Sequence, residues 1–116
     1  MPDSPNVVLI VMDTARADFV DTEVNGNQVT PFLSELRSQG GQFTQAYSGS
    51  PWTLPSHASL FTGTYPSKHG AHADNKYLRD DIKTLQGTLS EHGYTTFGIS
   101  NNIWVSNTFG FEDGFD

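Results

Sequence analysis

The sequence predicts an α/β fold in which helices flank a mainly parallel sheet. Apolar runs of strand length alternate along the chain with segments of helical periodicity. Most changes from one pattern to the other fall at glycine, proline or a capping residue. Strands that alternate with helices pair in parallel through right-handed crossovers. At 116 residues, the chain is predicted to be one domain over residues 1–116.

The first half of the chain contains two predicted strands and one helix. Val7–Met12 is a continuous apolar run rich in β-branched residues, which is typical of a central strand covered on both faces. Thr30 and Pro31 supply an N-cap and a first-turn proline for a helix that ends at Gly40-Gly41. The alternating residues 42–48 then predict a return to the sheet.

The second half repeats this alternation. A loop rich in Gly, Ser and Pro leads into a short helix over Pro55–Phe61, which Gly63 closes. The polar residues 64–81 predict an irregular surface loop. A helix over Ile82–His92 and a third strand over Tyr94–Ser100 follow. In such sheets, ligands bind beyond the carboxyl ends of the strands, so the segments at these ends are predicted to build one pocket.

Charge and composition exclude several classes of partner. Thirteen acidic residues against six basic ones give a net charge of −7, which repels nucleic acid and anionic membranes. The chain has no cysteine, which excludes disulfides, thiolate metal sites and a cysteine nucleophile. The apolar run Val7–Met12 is too short for a signal segment or a membrane span. We therefore expect a soluble, cytoplasmic protein.

Residues at the predicted element boundaries could carry chemistry. Asp13 follows a buried strand, where a carboxylate meets either a cation or the backbone N–H groups of a turn, and spacing alone does not separate the two. Thr53 precedes a helix start, whose positive end favours an anion, although a plain N-cap hydroxyl is the commoner use of such a residue. His57, Lys68 and His69 could contact an anion or donate a proton.

Several spaced blocks resemble the sulfatase family of the alkaline phosphatase superfamily. Pro5–Asp18 is similar to the opening strand that delivers acidic metal ligands in sulfatases. Thr53–Gly63 is similar to the sulfatase signature, in which Cys or Ser, one residue and Pro-Ser-Arg precede Leu-x-Thr-Gly. The resemblance implies the N-terminal part of an alkaline-phosphatase-like catalytic domain, truncated before its active site is complete. Further blocks match in the same order, namely Thr30–Leu33, Gly63–Gly70, Gly93–Thr96 and Phe109–Asp116.

The resemblance assigns roles to single residues. Asp13 would be a metal ligand, Thr14 stands where sulfatases often place a second acidic ligand, and Thr53 occupies the nucleophile position. In sulfatases that position holds a Cys or Ser oxidised to formylglycine, an oxidation that threonine cannot undergo in its usual form. His57 replaces the signature arginine, and Asn101 stands where a lysine is expected. The implied site has Thr53 and His57 in catalysis, Asp13, Thr14 and Thr53 on a metal, and Lys68, His69 and Asn101 on the substrate.

The resemblance leaves three functions open. One is a metal-dependent hydrolase of sulfuric or phosphoric esters, with Ca²⁺ in a sulfatase-like site. Another is a phosphoethanolamine-type transferase or phosphodiesterase, which works through a phosphothreonine and would use Mg²⁺, Mn²⁺ or Zn²⁺. The third is a catalytically incomplete fragment, because a hard cation takes about six oxygen ligands and the family's further ligands lie downstream. The expected partners are a small-molecule or glycan ester and the downstream remainder of the domain, to which Phe109–Asp116 is expected to connect.

Overall fold

The computed structural model describes residues 4–116, in which short helices and one small hairpin are joined by irregular segments. No helix in this range is long and apolar enough to cross a membrane. The chain divides into an N-terminal unit, residues 4–46, and a C-terminal unit, residues 47–116. The elements are β1 (Glu23–Val24), β2 (Asn27–Gln28), α1 (Pro31–Gln39), α2 (Thr53–Thr62), α3 (Pro66–His69) and α4 (Leu85–Glu91), with 3₁₀ turns at Ala17–Phe19 and Asn107–Phe109.

A tight hairpin forms the sheet of the N-terminal unit. β1 and β2 pair antiparallel, with Val24 opposite Asn27. The two residues between them, Asn25 and Gly26, have φ angles of 52° and 76°. Asn and Gly adopt such left-handed angles most easily, and two of them in succession give the turn whose twist matches that of the paired strands. The hairpin was not among the predicted elements.

Helix α1 confirms the first predicted helix and is tied to the segment before the hairpin. Its N-cap residue is Thr30, as predicted, but the Thr30 hydroxyl makes no capping bond to the helix. Instead it accepts from the backbone N–H of Asp21 at 3.2 Å. The Asp21 carboxylate in turn accepts from the Ser34 hydroxyl at 2.6 Å and pairs with Arg37. These polar contacts link the two parts of the N-terminal unit.

The predicted parallel sheet is not found within residues 4–116. The predicted strands Val7–Met12, 42–48 and Tyr94–Ser100 have no ladder partner, and the hairpin is the sheet of the described residues. Large apolar side chains in all three segments stay exposed, for example Ile10 at 80% and Phe43 at 87%. A β-strand exists by pairing with a neighbour, and an apolar run without one remains an extended segment. The predicted parallel sheet is therefore not confirmed within the described residues.

The C-terminal unit contains the hydrophobic core. Helix α2 packs against both α3 and α4. Phe61 of α2 meets Phe111 edge to face, with ring centroids 5.8 Å apart, a favourable geometry for aromatic rings. Helix α2 confirms a predicted helix and starts two residues earlier than expected, while α3 lies within the predicted loop 64–81. The buried residues of the core are Leu54, Ala58, Ala71, Leu78 and Phe111.

Helix α4 begins later than the apolar periodicity predicts. The helix was expected from Ile82 but starts at Leu85, because Thr84 caps it. The Thr84 hydroxyl accepts from the Gly87 N–H at 3.1 Å and donates to the carbonyl of Asp113 at 3.2 Å. A Thr at this position satisfies one of the donors that the first helical turn leaves open. The predicted helix is thus confirmed with a shorter N-terminal end.

The closing segment Phe109–Asp116 packs back onto α4. The Gln86 amide donates to the Phe111 carbonyl at 3.3 Å. Gly114 lies so close to α4 that a Cβ at this position would overlap the backbone of Gly87. The segment was predicted to connect to the downstream remainder of the domain. The structure shows that it also packs inside the C-terminal unit.

Candidate active site

Helix α2 fixes Thr53 at its first position. Trp52 occupies the N-cap position without a side-chain capping bond, and Thr53 is the first residue of the helix. Leu54 and Pro55 are buried and anchor the start of the helix, and Trp52 packs edge to face on Trp104 at 5.6 Å. Thr53 itself is half-buried. Its side chain thus lies at the positive end of a ten-residue helix, where negative charge is stabilised.

His57 lies one helical turn beyond Thr53 and is oriented by it. The Nδ1 atom of His57 is 2.9 Å from the Thr53 carbonyl oxygen. A carbonyl oxygen can only accept, so Nδ1 carries the proton and Nε2 of the neutral ring is left as the basic nitrogen. Both residues are half-buried. The pair therefore combines a hydroxyl with a ring of defined tautomer on one helical turn.

Two serines that sequence reasoning did not single out hold the loop before α2. The Ser48 hydroxyl donates to the carbonyl of Ser50 at 2.7 Å. It lies 2.7 Å from the hydroxyl of Ser56 in the first turn of α2, and with its own proton engaged it acts as the acceptor there. The sequence signal that could have identified Ser56 is the Pro55-Ser56 pair of the signature block. Ser48 and Ser56 fix the loop to the helix start.

His69 is fully buried and joins α3 to α2. Its Nδ1 accepts from the backbone N–H of Ala71 at 3.1 Å, so the proton is on Nε2, which lies 3.1 Å from the Ser59 hydroxyl. Burial lowers the pKa of His69, the carbonyl of Pro55 opposes this shift, and the charge of His72 adds to it. A residue expected on the substrate thus has both ring nitrogens bonded to protein groups.

Lys68 and Asn101, the other expected substrate contacts, are exposed in the C-terminal unit. Lys68 belongs to α3 and is adjacent to His69. The pKa of Asp81 is lowered first by its hydrogen bond from Arg79 and further by the charge of Lys68. The structure therefore brings Thr53 and His57 into direct contact, links His69 to the same helix, and places Lys68 and Asn101 at the surface.

Asp13 and Thr14 form an exposed turn in the N-terminal unit. The Ala15 N–H donates to the Met12 carbonyl at 3.3 Å and closes the turn. Thr14 has a φ of 64°, a left-handed angle that a β-branched residue rarely adopts. Its hydroxyl donates to the Asp13 carboxylate at 3.4 Å. Asp13 thus lies in a turn, and its role as a metal ligand stays a prediction.

The residues expected on a metal do not fit a complete metal site by themselves. Within residues 4–116, no group of three or more His, Asp or Glu side chains is placed to hold an ion. A divalent cation such as Ca²⁺ takes six to eight oxygen ligands. The carboxylate of Asp13 and the hydroxyls of Thr14 and Thr53 supply fewer, so a bound ion would need further ligands.

Comparison with known proteins places the chain among enzymes of one family. The family model described as Sulfatase matches residues 5–116. The chain is 38% identical to N-acetylgalactosamine-6-sulfatase of Mus musculus over 109 residues, which cover 81% of this chain and 21% of that protein. It is 33% identical to an ulvan-active sulfatase of Formosa agariphila over 94 residues, covering 79% and 18%, and 32% identical to arylsulfatase K of Bos taurus over 97 residues, covering 82% and 18%.

The shared region is a limited part of these relatives. The chain spans about a fifth of the length of the curated proteins it matches. No solved structure matches it significantly. The matched residues include the α2 segment with Thr53 and His57 and the turn with Asp13. With a family match over residues 5–116, the chain belongs to the sulfatase family.

Proposed function

We propose that this chain carries the nucleophile of a sulfatase-family hydrolase that cleaves sulfuric or phosphoric esters, and that Thr53 is this nucleophile. The observation that carries the proposal is the first turn of α2. There the half-buried Thr53 lies at the positive helix end, and the Thr53 carbonyl sets the tautomer of His57. In this proposal the Thr53 hydroxyl and Nε2 of His57 form the pairing of hydroxyl and imidazole that nucleophilic catalysis uses.

The proposed reaction has two steps. The Thr53 hydroxyl attacks the sulfur or phosphorus, a new ester bond to its oxygen forms, and the bond to the leaving alcohol breaks. The hydroxyl proton passes to Nε2 of His57 and from there to the leaving oxygen. Water then attacks the threonine ester, which releases sulfate or phosphate and restores the hydroxyl. The positive end of α2 stabilises the negative charge that develops in both steps.

The proposal includes a divalent metal ion, with the Asp13 carboxylate as one of its ligands. Such an ion would supply charge neutralisation for the ester group. Because the described residues do not complete its coordination, the two steps above are assigned to Thr53 and His57 alone. Ca²⁺ is the ion proposed for sulfate esters, and Mg²⁺, Mn²⁺ or Zn²⁺ for phosphate esters.

The proposed substrate is the ester of a sugar. Two of the relatives are named for ulvan and for N-acetylgalactosamine-6-sulfate. The exposed cation Lys68 and the exposed amide Asn101 are the proposed contacts to the anionic group, since both offer hydrogen-bond donors at the surface. A phosphoethanolamine-type transferase or a phosphodiesterase remains the alternative that the same threonine chemistry supports.

The test is a labelling experiment on the chain as it exists. An aryl sulfate, an aryl phosphate monoester and a phosphodiester are each incubated with the chain and Ca²⁺, Mg²⁺, Mn²⁺ or Zn²⁺, and the protein is then digested and weighed. We expect the peptide that contains Thr53 to gain the mass of one sulfuryl or phosphoryl group, and the productive substrate identifies the ester class. Thr53→Ala should abolish both label and turnover. Turnover that persists in Thr53→Ala would overturn the assignment.

The second candidate is a family member without activity of its own, which binds an anion at the start of α2. The observation that favours it is the missing cluster of metal-ligand side chains within residues 4–116. This candidate predicts no label and no turnover with any of the four metals. It also predicts that sulfate or phosphate raises the melting temperature of the chain, and that Thr53→Ala reduces this effect.

A further inference from the structure

Four aromatic side chains of the C-terminal unit form a continuous row, called here the aromatic row. Trp52 meets Trp104 edge to face, with ring centroids 5.6 Å apart. Trp104 then contacts Phe109 at 5.0 Å, with 31° between the ring planes, and Phe109 contacts Tyr77 at 5.9 Å. Aromatic pairs attract each other at such separations. The aromatic row thus joins three segments that are distant in the sequence.

The aromatic row reaches the surface of this unit. Trp52, Trp104 and Phe109 pack against the hydrophobic core, but each of them keeps part of its side chain accessible to solvent. Tyr77, at the outer end of the row, is 57% exposed. Phe111, an aromatic residue of the core itself, is only 4% exposed. The row therefore offers aromatic surface that a ligand can contact, besides the part that packs inside.

A cation lies against the aromatic row. The Lys76 ammonium is 5.3 Å from the centroid of the Trp104 ring. The ion pairs found within residues 4–116 all use other cations, so the charge of Lys76 is not committed to a carboxylate of this part of the chain. In a chain with a net charge of −7, an anionic ligand needs a local positive charge of this kind. The aromatic surface and the ammonium group together suit a ligand that is both apolar and anionic.

The aromatic row begins next to the proposed nucleophile. Trp52 is the N-cap residue of α2, and Thr53 is the first residue of that helix. The C–H bonds on the face of a sugar ring carry partial positive charge, which suits the negative face of an aromatic ring. A carboxylate or sulfate on the same sugar suits the ammonium of Lys76. An acidic sugar therefore matches both features of this surface.

We propose that the aromatic row and Lys76 form a subsite for a second, anionic sugar unit of the substrate. The unit that carries the ester lies at Thr53, and the neighbouring unit stacks on the aromatic row with its carboxylate or sulfate on Lys76. The substrate class is then an acidic oligosaccharide and not a single sugar. The subsite rests on the proposed function, which supplies the sugar ester and its position at Thr53.

The test is a binding titration followed by tryptophan fluorescence. Both tryptophans of the chain, Trp52 and Trp104, belong to the aromatic row, so their emission reports on a ligand that binds there. The probes are a chondroitin 6-sulfate disaccharide, which carries a uronate beside the sulfated sugar, and N-acetylgalactosamine 6-sulfate, which lacks the uronate unit. We expect the disaccharide to bind about tenfold more tightly, because its second unit adds a stacked ring and a charge-assisted hydrogen bond.

Matched variants connect this preference to the subsite. Tyr77→Ala removes the outermost ring, and Lys76→Met removes the charge but keeps an apolar side chain. Each should weaken binding of the disaccharide about threefold to tenfold and leave binding of the monosaccharide unchanged. Tyr65→Ala and Lys83→Met are the controls, because both residues are exposed in the same unit and lie outside the aromatic row. A disaccharide that binds no more tightly than the monosaccharide, or equal losses in the controls, would overturn the proposal.

Two further measurements separate the remaining outcomes. Thr53→Ala should keep the preference for the disaccharide over the monosaccharide, because Thr53 is not part of the aromatic row. This preference without any label on Thr53 would refute the proposed function and support the subsite, whereas a label from an aryl ester without the preference would refute the subsite alone. If sedimentation shows a dimer that Tyr77→Ala dissociates, the aromatic row is an interface between two copies and the proposal is wrong.

Discussion

In the C-terminal unit, Leu54, Ala58 and Phe111 are almost completely withdrawn from solvent, whereas every side chain described in residues 4–46 is at least partly exposed. Both units contain an amphipathic helix and a stretch of apolar residues. The difference is that α2 lies against both α3 and α4, while polar contacts link α1 to the segment before it. A helix buries its apolar face only where the chain supplies a second layer.

This comparison separates two parts of the candidate site. Thr53 and His57 belong to the unit that has its own core, so their geometry rests on contacts made by this chain. Asp13 and Thr14 belong to the unit that lacks one, so their turn is held by local hydrogen bonds. Thr53, the proposed nucleophile, is therefore better fixed in position than Asp13, the proposed metal ligand.

The largest expected effect is a loss of stability, and it comes from comparing an alanine substitution at one leucine in each unit. Leu54→Ala removes a side chain with no exposure and should lower the free energy of unfolding by about 2–5 kcal/mol. Leu36→Ala, at an exposed position of α1, should change it by only about 0.5 kcal/mol. Urea unfolding followed by tryptophan fluorescence measures the C-terminal unit, because Trp52 and Trp104 both lie there. Equal losses in the two variants would contradict the comparison.

A pair of glycines separates close packing from backbone strain. Gly63 and Gly114 both have positive φ angles, so an alanine at either costs about 1–2 kcal/mol. A Cβ at Gly63 has open space, whereas one at Gly114 overlaps Gly87. Gly114→Ala should therefore destabilise the chain by about 1–3 kcal/mol more than Gly63→Ala. The same urea titration checks this, and equal midpoints would show that the closing segment is loosely packed.

His69 gives the C-terminal unit a dependence on pH. Burial lowers the pKa of His69, so the unfolded chain binds this proton more readily than the folded chain. Stability should be complete above the ordinary histidine pKa of about 6.5 and should decline as the pH falls through that value towards the lowered one. Melting temperatures across this range should show a slope that His69→Gln flattens. The exposed His72 is the control, and a slope lost equally in His72→Gln would refute the assignment to His69.

The smallest effect concerns the polar link within the N-terminal unit. Asp21→Asn weakens the contacts to Ser34 and Arg37 and should cost at most about 1 kcal/mol, because the carboxylate is partly exposed. Hydrogen exchange at the Ser34 amide, which bonds the Thr30 carbonyl at 3.2 Å, reports on this loss. Asp18→Asn alters only an exposed pair with Arg16 and should leave this amide unaffected.

The helices could be predicted from the sequence because their signals are local. Pro31 and Gly63 mark helix ends that the structure confirms. The hairpin was predictable from Asn25-Gly26, whose left-handed angles suit a two-residue turn, and the cap at Thr84 was equally visible. Local signals of this kind could not show whether the parallel sheet forms. Val7–Met12 has the composition of a buried strand, but pairing requires a partner strand that local sequence cannot specify.

The sequence likewise predicted some features of the candidate site and not others. The helical spacing of Thr53 and His57 follows from sequence, and so does their position near a helix start. The burial of His69 did not follow, because a histidine in a polar segment is ordinarily exposed, whereas this one lies in α3, which packs on α2. The turn angle of Thr14 was also beyond prediction, since a β-branched residue seldom takes it.

The most direct test of the difference between the units is residue-resolved hydrogen exchange on the chain alone. Amides of α2 and α4, which lie next to buried core residues, should exchange slowly, with protection that approaches the global stability of the C-terminal unit. Amides of Val7–Met12 should exchange at nearly the rate of an unfolded peptide. Protection of Val7–Met12 equal to that of α2 would contradict the account, because it would show that the N-terminal unit completes its own fold.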